Sequence, residues 1–108
     1  MTRRIVQVIR LRPEKADEYR TLHRAVPQPV LDRLRACHIA NYSIHLRGDL
    51  LIGCFDYLGD DFDADMARMA ADEATRAWWH LTAPCQEPVA GATPGQWWAP
   101  TEQVFPRE

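Results

Sequence analysis

At 108 residues and 12.4 kDa the chain has the size of one domain, and 46% hydrophobic with 26% charged residues is a globular composition. A net charge of -2 with Lys and Arg scattered along the chain argues against nucleic acid as a partner. No apolar run approaches the roughly 18 residues of a membrane span, and Arg3, Arg4 and Arg10 interrupt a short N-terminal apolar run, so no signal peptide is expected. Cys37, Cys54 and Cys85 form an odd, widely spaced set without C-x-x-C. That fits a reducing, cytoplasmic setting better than a disulfide scaffold.

In chain order, Arg4 to Leu11 is β-branched and apolar on both faces, which predicts a buried strand. Pro13 ends it and suits a helix start. Glu14 to about Arg24 reads as helix, with Ala16, Tyr19, Leu22 and His23 turned from solvent. Pro27 and Pro29 break it, and a second helix runs from about Pro29 to Ala36 with Val30, Leu31 and Leu34 inward. From Ile39 to Leu46 the residues alternate, placing Ala40, Tyr42, Ile44 and Leu46 on one face and Asn41, Ser43 and His45 on the other. Arg47-Gly48-Asp49 is a turn, and Leu50 to Leu58 completes an antiparallel hairpin. Asp60, Asp61, Asp63 and Asp65 read as a solvated capping region for a helix carrying Met66, Met69 and Ala70. A fourth helix has Ala74, Ala77, Trp78 and Leu81 on its apolar side and ends by Pro84. Residues 85–100, rich in Pro, Gly and Ala, read as loop, and Thr101 to Phe105 as a closing strand. The order strand, helix, helix, strand, strand, helix, helix, strand predicts an α+β sandwich of the ferredoxin-like, split β-α-β kind over residues 1–108.

Chemistry concentrates at Tyr19 and His23. Four residues apart on a helix, they share one face. An imidazole titrates near neutrality, a phenol can hydrogen-bond a hydroxyl, and an indole offers a sugar a flat apolar surface. Tyr42 on a neighbouring strand adds an amphipathic ring. Trp78 and Trp79 diverge by about 100° on their helix, so one faces inward while the other shields an edge or walls a pocket. Trp97-Trp98, in a Pro/Gly-rich tail, reads as a dimer contact or a lid. The histidines and cysteines match no zinc or iron spacing, so neither metal nor cofactor is expected.

The motifs Glu18-Tyr19 followed by His23, Asn41-Tyr42-Ser43-Ile44-His45-Leu46, the hairpin to Leu50-Leu51, and Trp78-Trp79 together resemble the L-rhamnose mutarotase family over about residues 3–85. Val104-Phe105 resembles its closing strand. The resemblance implies a cofactor-free α+β protein of the dimeric α/β barrel type that forms a homodimer through its sheets. The implied activity interconverts the α and β anomers of a 6-deoxy sugar. It also implies His23 as the proton-donating residue and Tyr19, Tyr42, Trp78 and Trp79 as sugar contacts. Two family segments are replaced. Arg24-Ala25-Val26-Pro27-Gln28-Pro29 stands where the family has Ile-Trp-Pro-Glu. Gln86-Glu87-Pro88-Val89 and Gly95-Gln96-Trp97-Trp98 stand in place of its Asn-Pro-Asp-Asn-Ser-Pro loop. These changes leave L-rhamnose and L-fucose both open as the sugar. The rival readings are a cofactor-free monooxygenase on the same barrel fold and a non-catalytic sugar-binding module.

Overall fold

The computed structural model describes residues 2–106; Met1, Arg107 and Glu108, the ends of the expected domain, lie outside them. Strand β1 (Arg3–Leu11) leads through a 3-10 turn at Pro13–Lys15 into helices α1 (Ala16–His23) and α2 (Gln28–Ala36). The hairpin β2 (Ile39–Arg47) and β3 (Leu50–Tyr57) follows, then α3 (Phe62–Ala71) and α4 (Glu73–Thr82). Two short strands, β4 (Gln86–Glu87) and β5 (Ala99–Pro100), end the fold. The sheet order is β2-β3-β1-β4, with β5 also on β1, and the pairs are antiparallel. This is the ferredoxin-like order, with each crossover helix doubled and the last strand split in two. The curled sheet is a half-barrel with helices on one face.

The register explains which residues form the core. In β1 and β3, Ile9 pairs with Leu51, Gln7 with Gly53 and Ile5 with Phe55, and directly paired residues share a sheet face. Their helix-facing side holds one cluster of Ile9, Leu11, Tyr19, Leu51 and Cys85, and a second of Cys37, Ile39, Phe55, Tyr57 and Met69. The opposite face carries half-buried Val6, Val8, Ile52 and Cys54.

Strand β2 departs from simple alternation. Ala40 pairs with Asp56 and Ser43 with Cys54, so Asn41 and Tyr42 together oppose one residue of β3. Asn41 sits at φ 54°, a left-handed conformation that Asn tolerates better than most residues, and its side-chain amide donates to Asp56 at 2.8 Å. This β-bulge puts Ala40 on the opposite face from Tyr42, contrary to the alternation, and gives Ile39 the helix-facing place instead. Bulges leave little trace in hydrophobic periodicity.

Three further expectations are corrected. The buried side of α4 is formed by Thr75 and Thr82 with Ala74 and Trp78, while Leu81 is 51% exposed. Both threonine hydroxyls bond locally, Thr75 to Asp72 and Thr82 to the Trp79 carbonyl, so burying them leaves no polar group unsatisfied. The closing strand lies at Ala99–Pro100 rather than over 101–105. Thr101 still donates its N–H and its hydroxyl to the Val6 carbonyl. Beyond it the chain leaves the sheet, with Val104 67% and Phe105 87% exposed. The acidic run also divides. Asp61 caps α3 by accepting from the Ala64 N–H, but Asp65 is buried, taking bonds from Tyr57 and Arg68 and contacting His38 Nδ1 at 2.9 Å.

Candidate functional site

A cleft of about 920 Å³ opens between the sheet and the helices, within the range of small-molecule sites. Tyr19, His23, Tyr42, Trp78 and Trp79 all line it, as do Trp97 and Trp98. Helix α1 supplies the central pair. The rings of Tyr19 and His23 stand 4.3 Å apart, and Trp78 of α4 meets His23 edge-on at 5.1 Å. The one-turn spacing of Tyr19 and His23 and the docking of α4 beside α1 bring the three rings together. Trp79 points about a third of a turn away, 41% exposed, and also borders a shallower groove with Arg76 and His80.

His23 is half-buried at the end of α1. Its Nδ1 lies 2.9 Å from the Tyr19 carbonyl oxygen. A carbonyl only accepts, so Nδ1 carries the hydrogen, and in the neutral ring Nε2 keeps a free lone pair. The helix backbone thus fixes both the tautomer and the ring's direction.

Tyr19 is buried at 5% exposure. Its hydroxyl oxygen accepts from the Gln86 side-chain amide at 3.1 Å, and the Gln86 carbonyl oxygen accepts from the Trp97 indole N–H at 2.9 Å. Burial raises the Tyr19 pKa above the ordinary phenol value, partly offset by the bond from Gln86. Tyr42 is re-aimed by the bulge, so that its ring packs on Phe55 at 5.3 Å, and the residue stays 38% exposed. Its hydroxyl end is sunk beside Tyr19 and Gln7. Desolvation pushes its pKa up to about 12, with nearby Tyr19 adding to the shift and Gln7 opposing it. Both phenols therefore keep their protons throughout the neutral range.

The tail forms a wall of the cleft. A Cβ built on Gly53 would lie 3.3 Å from the Trp98 ring, so the absence of a side chain on β3 lets that indole lie against the sheet. Pairing of Ala99–Pro100 with Gln7 and Val8 anchors the tail at this point. Among the described residues no group of three or more His, Cys, Asp and Glu is placed to hold a metal ion, and no helix is long and apolar enough to cross a membrane.

Residues 4–106 match a family model described as L-rhamnose mutarotase. The chain belongs to the L-rhamnose mutarotase family. It is thereby an enzyme of the isomerase type. An L-rhamnose mutarotase of Sinorhizobium medicae is 35% identical over 99 residues, covering 90% of each chain. One of Burkholderia orbicola is 38% identical over 71 residues, covering 66% of this chain and 67% of the relative. Among solved structures, the L-rhamnose mutarotase of Formosa agariphila superposes with a TM-score of 0.75 at 20% identity, covering 98% of this chain and 99% of that one. The tetracenomycin F2 cyclase of Streptomyces glaucescens reaches a TM-score of 0.64 at 13% identity, over 98% and 99% of the two chains. A polyketide cyclase on the same half-barrel shows that the fold admits different chemistries.

In this member of the mutarotase family, sequence reasoning did not find Gln86 or Gln7 as parts of the site. Gln86 belongs to a stretch that reads as loop, and a glutamine there carries no local signal. What could have flagged it is the proximity of Cys85-Gln86 to the expected end of α4, which returns the chain to β1 beside α1. Trp97 and Trp98, expected as a dimer contact or a lid, lie in the cleft wall.

Proposed function

We propose that this enzyme interconverts the α and β anomers of a 6-deoxy-L-hexose, L-rhamnose or L-fucose. The observation that carries the reading is the contact of Tyr19, His23 and Trp78 at the wall of the cleft. An oriented imidazole, a protonated phenol and an indole face are the groups that ring opening of a hemiacetal requires.

In the forward step Nε2 of His23 takes the proton of the anomeric hydroxyl. The bond from C1 to the ring oxygen breaks with its electron pair passing to that oxygen, which takes the phenolic proton of Tyr19. Rotation about C1–C2 presents the other face of the aldehyde. Closure then reverses the transfers, His23 returning its proton to the anomeric oxygen and the ring oxygen returning its own to Tyr19. Proton transfers of this kind by positioned groups contribute about 10²–10⁴-fold. Tyr19 and Tyr42 orient hydroxyls, and Trp78 and Trp79 stack on the apolar side of the sugar, including its C6 methyl.

The working form in this reading is a homodimer. The half-buried stripe of Val6, Val8, Ile52 and Cys54 on the outer sheet face supports it, since such a stripe gains by being covered. Three free cysteines are in keeping with work in a reducing cytoplasm.

Saturation-difference proton NMR on the anomeric signals of L-rhamnose and L-fucose, with catalytic protein, tests the reading. Transfer between α and β resonances for one sugar is expected and names the substrate. Silence with every reducing 6-deoxy sugar would defeat it. Binding without exchange would point to a sugar-binding module, and oxygen uptake with an aromatic substrate to a monooxygenase.

A further inference from the structure

We infer that Gln86 and Trp97 form a fixed hydrogen-bond relay that aims the Tyr19 hydroxyl hydrogen into the cleft, complementing the free Nε2 of His23. The inference rests on the mutarotase reading of the site. It assigns a positioning role to two residues that lie outside the motifs shared with the family.

The relay has one sense only. An indole N–H can donate and cannot accept. The Gln86 oxygen must therefore face Trp97, at 2.9 Å, which leaves the amide NH₂ facing Tyr19. That nitrogen donates to the Tyr19 hydroxyl oxygen at 3.1 Å. With this acceptor position filled, the Tyr19 hydrogen has to point elsewhere, and the open direction is the cleft that Tyr19 lines. Gln86 is 4% exposed, so water is poorly placed to substitute at either end, and every buried side-chain N and O among the described residues has a partner.

The consequence is a matched pair on one helix. His23 offers a lone pair because its Nδ1–H is committed to the Tyr19 carbonyl, and Tyr19 offers a hydrogen because Gln86 occupies its oxygen. With rings 4.3 Å apart, a base and a donor stand together at one point of the cleft, as the anomeric hydroxyl and the ring oxygen of one sugar require. The raised Tyr19 pKa agrees with a phenol that stays protonated. The relay also ties this polarity to the tail, since Trp97 is held by β5 and by the seating of Trp98 against Gly53.

Gln86→Glu is the diagnostic substitution. A carboxylate can only accept, so it takes hydrogens from both Trp97 and Tyr19 and turns the phenol away from the substrate. Its kcat should fall about 10²-fold, the scale of losing one transition-state donor, with KM nearly unchanged. In a Tyr19→Phe background the same substitution should cost nothing further. If the two losses multiply, or if KM rises while kcat holds, Gln86 is a packing residue and the relay is refuted. Should Gln86→Glu fail to fold, Trp97→Phe decides: it frees the amide to turn over, and kcat should fall roughly 3- to 10-fold, about one neutral hydrogen bond, again only when Tyr19 is present.

An activity-independent readout separates this inference from the functional one. The Trp97 indole N–H should be protected from solvent exchange in the wild-type protein, and its resonance should move in Gln86→Met. An unprotected indole overturns the relay whatever the activity. A protected indole in a protein without anomer exchange keeps the relay and defeats the mutarotase reading.

Discussion

His23 and Tyr42 show how surroundings set what a side chain can do. A histidine at the end of α1 gains its direction from the carbonyl of Tyr19 one turn earlier, so no third side chain is needed to orient it. His23→Ala should lower anomer exchange by more than ~10²-fold while far-ultraviolet circular dichroism stays unchanged; a variant that keeps most of its rate would move the proton transfer to another residue. Tyr42 gives a prediction in pH. Its pKa of about 12 in the folded chain lies above the ordinary phenol value near 10. Between those values the unfolded chain releases this proton first, so the Tyr42 contribution to stability is complete below pH 10 and is lost as pH rises toward 12. Urea midpoints measured from pH 8 to 11.5 should be level and then fall, and Tyr42→Phe should flatten the fall. Equal slopes for both proteins would mean that the Tyr42 phenol is not desolvated.

At the scale of elements, the bulge in β2 decides whether Tyr42 belongs to the site. It depends on Asn41, whose positive φ would cost a β-branched residue about 1–2 kcal/mol and whose amide serves Asp56. Asn41→Val should therefore lower stability by roughly 2 kcal/mol and weaken sugar affinity as Tyr42 turns from the cleft. Asn41→Gly, which keeps the backbone freedom, should retain affinity. Equal loss in both variants would show that the amide bond, and not the bulge, aims the ring. Much of the architecture is legible in the sequence because it follows from periodicity and from breakers. Pro13, Pro27, Pro29 and Gly48 punctuate the elements, and the i, i+4 spacing alone puts Tyr19 beside His23. The bulge is not legible, since an Asn-Tyr pair inside a strand alternates normally until the partner strand is known. Nor is the buried face of α4, where Thr75 and Thr82 bury hydroxyls that their own helix has already satisfied, or the burial of Asp65, which besides Arg68 meets His38 and Tyr57, 27 and eight residues away.

On the scale of the whole molecule, residues 86–100 complete a site begun by α1. Strand β1 is the shared centre: it takes β3 on one side and, on the other, β4 and β5, which bring Gln86 and Trp97 to the same cleft from two points in the chain. The tail can seat itself there because Gly53 leaves room for Trp98 and β5 pairs at Gln7 and Val8. Deleting the chain from Gly95 should remove this seat, lowering stability by roughly 3 kcal/mol, the scale of losing one large packed aromatic, and opening the cleft so that sugar affinity falls. Sedimentation separates the two roles that a tail of this kind can play. A truncated protein that still sediments as the intact one does, but binds sugar weakly, assigns Trp97 and Trp98 to the site alone. One that also dissociates makes them part of the subunit contact as well. Unchanged affinity together with unchanged sedimentation would remove the tail from the mechanism and leave the walls of α1, α4 and the bulged strand to hold the sugar by themselves.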